Sequence, residues 1–455
     1  MEQNQVQKGH PKALYLLFFT EMWERFSYYG MRGILILYLT KSWLEGGLAI
    51  DPQEASLIYG FFTGFVYFTP LIGGWLADKY IGQRKAITIG GITMMLGQFV
   101  LFGINTHAGL YLGLFLLIIG NGFFKPNIST LVGRLYDDKD PRRDSAFSIF
   151  YMGINLGAFL APLVIGYFSD GVFAVKDETG KIITYGYKYG FLIAGIGMLL
   201  GQVLFNMLAQ KHLNDIGRYP ATGNKKDVTK QEELLPVTHE DKQKMTVIFI
   251  LTAFVVFFWA GFEQAGSSLS LYTDKYINRE VFGFLIPTSW FQSVNPLFIV
   301  AFAPLFAIFW TSSLGKRLST PIKMGLGMVL LGVGFFFMIG AVAQRGGDVQ
   351  DENVKASLMW LVLTYLLHTI GELCLSPVGL SVVTKLSHPK FASLMMGVWL
   401  LSSFLANIIG GFVASVVESM GAGSIFTIIA AFVIVLGLIL ILLNKPILKM
   451  MHGVR

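Results

Sequence analysis

Apolar runs of bilayer-spanning length follow one another along the whole chain, separated by short polar stretches. A hydrocarbon core takes roughly 20 apolar residues per helix, somewhat more when the helix tilts. Twelve runs meet that demand, near residues 13–43, 53–78, 84–106, 109–134, 144–170, 189–211, 245–274, 284–311, 322–344, 356–385, 391–418 and 421–444. The pattern predicts an all-α polytopic membrane protein with twelve transmembrane helices. The longest polar stretch, His212 to Lys244, interleaves lysines with Asp227, Glu232, Glu233, Glu240 and Asp241. Mixed charge of this kind reads as a solvated linker, with a regulatory or docking element as the alternative. It divides the chain into two six-helix halves, residues 1–211 and 245–455, joined by residues 212–244.

Composition agrees, since 54% of residues are hydrophobic and 14% charged, where a soluble domain carries about 25% charged. Thiol and zinc chemistry are set aside, because the one cysteine, Cys374, lies within an apolar run. The first run holds Glu21, Glu24, Arg25 and Arg32, which a secretory signal would not, so the N-terminus is expected to be retained. The net charge of +7 does not gather into a nucleic-acid patch. With both ends placed inside, and residues at run ends counted with the adjoining connections, 24 Lys and Arg fall on the side of the termini and 8 on the opposite side, while three, Arg25, Arg32 and Lys125, lie within spans. That asymmetry predicts cytoplasmic termini.

Ionisable groups inside spans carry the candidate chemistry, because each costs about 2.5 kcal/mol or more at the bilayer centre. At 100° per residue Glu21, Arg25, Tyr28 and Arg32 fall within about 60° of one another, and Glu24 flanks them. Lys125 sits mid-helix in the fourth span, Glu263 in the seventh and Glu372 in the tenth. A dipeptide carries an ammonium and a carboxylate at a nearly fixed separation, and cations from one half with carboxylates from the other would form a dipolar cavity for it. Protonation of carboxylates in such a set is linked to binding. The alternatives are a static ion cluster for Glu21, Glu24 and Arg25, snorkelling for Lys125, and satisfied helix residues for Glu263 and Glu372.

Between the second and third spans the chain reads GGWLADKYIGQRK, Gly73 to Lys85. It resembles the cytoplasmic gate motif of the major facilitator superfamily, with Asp78, Arg84 and Lys85 in gating positions. The first span, EMWERFSYYG from Glu21 to Gly30, resembles the E-x-x-E-R-F-x-Y-Y-G signature of the proton-dependent oligopeptide transporter (POT, or PTR) family. FYMGINLGA (Phe150 to Ala158), FFKPNIS (Phe123 to Ser129), FWAGFEQAGSSL (Phe258 to Leu269), FQSVNPLFI (Phe291 to Ile299) and GELCLSPVGLS (Gly371 to Ser381) are similar to further patterns of that family, in its order.

The resemblance implies a major-facilitator fold with a substrate site near the midplane, and proton-coupled symport of di- and tripeptides. It implies proton coupling by Glu21, Glu24 and Arg25, and attraction of the peptide carboxylate by Arg32 and Lys125. Glu372, assisted by Asn295, would hold the ammonium. Glu263 would serve a gate or the ammonium, and Tyr28, Tyr29, Tyr67, Asn155, Trp399 and Ser403 would line side-chain pockets. The chain departs from the family twice. Residues 212–244 occupy the place of an extra helix pair found in many bacterial members, and Gly60 stands where animal members carry a proton-linked histidine. Coupling is therefore expected to rest on carboxylates.

A carrier of nitrate or another anion, or an exporter of the same fold, are the alternatives. No enzyme motif is evident and no cofactor is expected, protons serving as the coupling ion. A functional monomer in a bacterial plasma membrane is expected.

Overall fold

A computed structural model describes residues 9–137, 140, 142–220, 237–388 and 391–454; residues 221–236 of the linker lie outside the described ones. The first crossing is α1 (Lys12–Thr40), followed by α2 (Pro52–Leu76), α3 (Gln83–Gly103), α4 (His107–Arg134), α5 (Arg142–Gly166) and α6 (Tyr187–Leu213). The seventh crossing consists of two pieces, α7 (His239–Phe262) and α8 (Ser268–Tyr276). Then come α9 (Val294–Thr311), α10 (Thr320–Gln344), α11 (Leu358–Leu386), α12 (Ala392–Ser415) and α13 (Ala422–Leu442). Among the described residues, eleven stretches are long and apolar enough to span a membrane, and α1 is not one of them. Its 29 residues suffice in length, at about 1.5 Å per residue. What sets it apart is its charged groups. Counting α1, the crossings among the described residues number twelve, in the helical architecture that the hydropathy predicts.

Helix ends follow local chemistry. The linker residues next to α7 fold into the helix, because Thr238 and Asp241 form a reciprocal capping box that satisfies orphan backbone donors. The helix therefore starts at His239, ahead of the apolar run at 245. Two antiparallel hairpins, β1 (Val175–Lys176) with β2 (Ile182–Thr184) and β3 (Glu280–Val281) with β4 (Phe284–Leu285), occupy loops where no strand was expected. The run predicted from 284 begins with β4 and the 3-10 turn Thr288–Ser293, and becomes α-helical only at Val294.

The chain packs as two compact units. One comprises the chain through Met31, Thr69–Phe173 and the segment from Gly186 into the linker; the other comprises Arg32–Phe68, Ala174–Tyr185 and the chain after the linker. In the first unit α3 packs against α4 and α6. In the second, α10 packs against α11 and α13 around Met328, Leu331, Phe335 and Phe426, which are fully buried.

Candidate functional site

In the first unit, α1 buries Glu21, Glu24 and Arg25 together. The Arg25 Nε lies 2.8 Å from a Glu21 carboxylate oxygen and 2.5 Å from one of Glu24. One guanidinium thus serves two carboxylates. Asn121 of α4 donates to Glu24 at 3.3 Å, and Lys125, one turn further along α4, is near enough for its charge to act on Glu24. Arg25 also lies over the Tyr28 ring at 5.9 Å, and Tyr28 meets Tyr29 edge to face. Close helix approach makes this burial possible. A Cβ on Gly157 of α5 would fall 2.9 Å from the Arg25 Cβ, and one on Gly153 would fall 2.9 Å from the Phe18 ring. The glycines of FYMGINLGA thus let α5 lie directly on the charged stretch of α1.

In the second unit, Arg32 on the last part of α1 pairs with Glu263 and donates its Nε to the Tyr59 hydroxyl at 2.6 Å. The Arg32 and Glu263 side chains are 8% and 11% exposed, so this is a buried pair. Glu263 opens a 3-10 turn, Glu263–Gly266, that interrupts the seventh crossing. Broken backbone at membrane depth survives only where its polar groups are satisfied by protein or water. Gln264 supplies part of that, donating to the Ala260 and Gly410 carbonyls at 3.0 Å each while accepting from Ser268 at 2.6 Å. Gln292, in the 3-10 turn before α9, donates to the Ala265 carbonyl at 2.9 Å. The two interruptions therefore brace each other.

The second interruption positions the remaining carboxylate. Asn295, in the first turn of α9, donates to Glu372 at 2.9 Å and lies 3.0 Å from the Thr369 hydroxyl. Glu372 and Glu263 are close enough for their charges to repel. Arg32 and the carboxylates Glu263 and Glu372 consequently lie in the same unit, with neutral donors at Tyr59 and Asn295. It also explains Gly60: a Cβ there would meet the Gly411 Cα at 2.6 Å, leaving no room for an imidazole.

Other predicted positions contribute differently. Asn155 turns back to its own helix, donating to the Tyr151 carbonyl at 2.9 Å. Trp399 is buried against Gly379, Tyr67 is half-buried, and Ser403 is half-buried with its carbonyl accepting from Asn407 at 2.8 Å. In the gate loop, exposed Asp78 accepts from Gln83 at 2.5 Å, and Gln83 accepts from Arg134 at 2.6 Å. Arg84 instead holds the end of α6, donating to the Asn214 carbonyl at 2.6 Å, and Lys85 is exposed.

Sequence reasoning missed Tyr59, Asn121, Gln83, Arg134 and Thr369, which are neutral or boundary residues without a pattern of their own. It also missed an ion cluster in the second unit, where Asp274 takes Lys41 at 2.8 Å, Arg279 at 3.1 Å and Thr288 at 2.9 Å. Asp274 ends a hydrophobic run and therefore reads as a boundary.

Comparison with known proteins gives the family and the fold. The model of the POT family matches residues 84–225 and 223–429. The uncharacterized transporter YclF of Bacillus subtilis (strain 168) is 38% identical over 98% of this chain and 96% of its own length. A di-/tripeptide transporter of Lactococcus lactis subsp. cremoris is 32% identical, covering 98% of each chain. The crystal structure of peptide transporter POT in complex with sulfate superposes with a TM-score of 0.87 at 35% identity, over 98% of this chain and 97% of that one. The chain has the major-facilitator fold and belongs to the POT family.

Proposed function

We propose that this protein is a proton-coupled symporter that carries di- and tripeptides into the cell by alternating access. The observation that carries the reading is the buried trio Glu21, Glu24 and Arg25, in which one guanidinium is shared by two carboxylates. A proton arriving there removes excess negative charge. A peptide carboxylate competing for Arg25 or Lys125 would leave more carboxylate charge to neutralise, so binding and protonation favour each other. Relatives named for peptide transport support the substrate class.

Within the second unit, Arg32 would draw the peptide carboxylate away from Glu263, while Glu372 and Asn295 hold the ammonium. Tyr28, Tyr29, Tyr67, Trp399 and Ser403 would shape side-chain pockets, and Asp78, Arg84 and Lys85 would govern a gate. The excess of Lys and Arg on the terminal side favours cytoplasmic termini in a bacterial plasma membrane. There an interior-negative potential adds about 2.3 kcal/mol per positive charge per 100 mV. We take the monomer as the working unit and no enzymatic step as necessary.

The test is uptake of labelled dialanine by purified protein in liposomes, with an inward proton gradient and negative interior, beside a gradient-free control. Accumulation above equilibrium, abolished by uncoupler and competed by tripeptides, is expected. Equilibration without accumulation would remove the coupling, and no uptake by folded, inserted protein would remove the substrate class.

A further inference from the structure

The first unit carries a groove of about 470 Å³ between the N-terminal turns of α3 and the C-terminal turns of α6, at the linker end of both helices. Its rim is cationic. Arg84 and Lys85 come from α3, and Arg218 from the turn after α6. Arg84 gives its hydrogen bonds to neutral oxygens, those of the Asn214 carbonyl and the Gln210 side chain. The Arg84 and Arg218 charges repel each other, and Asp215, 3.4 Å from Arg218, offsets both in part. The N-terminal end of α3 adds its own partial positive charge.

One turn deeper the lining changes to a neutral hydrogen-bonding pair, Thr88 donating to Asn206 at 2.8 Å. Beyond it the walls are apolar: Ile89 lines the groove, and Ile92 and Leu96 on α3 with Leu199 and Val203 on α6 continue as exposed apolar surface. Both helices are membrane-spanning stretches, so that surface faces acyl chains. Cationic rim, polar collar and apolar walls follow, in order, the phosphate, glycerol and chains of a phospholipid, and basic pockets between helix ends recognise anionic headgroups.

We propose that this groove binds one anionic phospholipid. Its phosphate lies among Arg84, Lys85 and Arg218, its glycerol esters meet Thr88 and Asn206, and its chains run along α3 and α6. Occupancy neutralises the repulsion between the two arginines and ties α3 to α6.

The test uses the purified full chain in neutral detergent, titrated with phosphatidylglycerol, phosphatidylcholine or inorganic phosphate. Retained lipid is counted by native mass spectrometry and stability followed by thermal unfolding. One tightly held phosphatidylglycerol and a raised unfolding temperature are expected, with phosphatidylcholine at least tenfold weaker and phosphate without effect. Arg218→Ala should weaken retention about fivefold, and Lys85→Ala, at an exposed position, by a similar factor. Equal retention of the two lipids, stabilisation by phosphate alone, or unchanged retention in both variants would each overturn the assignment.

Discussion

The charged groups of the two units are arranged on different principles. Glu21, Glu24 and Arg25 lie within five consecutive positions of one helix, so the trio forms whenever α1 forms and is buried. Arg32 and Glu263 are 231 residues apart, and Asn295 and Glu372 are 77 apart. Those pairs exist only when helices distant in the chain are packed, and they part when the packing changes. A local trio suits a standing proton site, whereas long-range pairs suit contacts that substrate and conformation make and break.

The largest expected effect tests the first half of that contrast. Glu24→Gln keeps the shape and the Asn121 neighbour but removes the second carboxylate; gradient-driven accumulation should fall to the gradient-free level while counterflow exchange continues. Persisting accumulation would show that the trio is a static ion cluster.

Next comes the buried pair of the second unit. Arg32→Met or Glu263→Met alone leaves a buried charge behind and should cost about 3–5 kcal/mol in a denaturant titration in micelles. The double variant should recover most of that loss. Additive losses would mean that the pair does not act as a unit.

The smallest effect separates Glu372 from its neighbours. Glu372→Gln should weaken unmodified dipeptides about tenfold or more, since a hydrogen bond to a charged group is worth roughly 1.5–3 kcal/mol, and N-acylated dipeptides by much less. Equal weakening would place the ammonium elsewhere.

The same contrast marks what the sequence discloses. The number and approximate limits of the crossings follow from hydropathy, because burying apolar surface in lipid leaves few options. The α1 trio follows from residue spacing. Long-range partners do not follow: nothing in the run around Glu263 designates Arg32 over Lys125. The interruption of the seventh crossing does not stand out because the stretch His239–Tyr276 around it is apolar enough to span a membrane, although polar Glu263 and Gln264 with Gly266, Ser267 and Ser268 are a local sign of it. Lys41 and Asp274, each at the edge of a run, were invisible as partners for the same reason.

The charge on α1 also bears on how the protein is made. Lacking the apolarity of the other eleven crossings, α1 is poorly suited to partition into lipid alone, since each central charge opposes insertion by about 2.5–3.5 kcal/mol. At about 5–20 residues per second, the ribosome needs roughly 10–50 s to advance from Arg32 to Glu263. During that interval the arginine must be sheltered by water, lipid headgroups or the insertion machinery, so a residue proposed to meet substrate also depends, as the protein is made, on a distant part of the chain arriving.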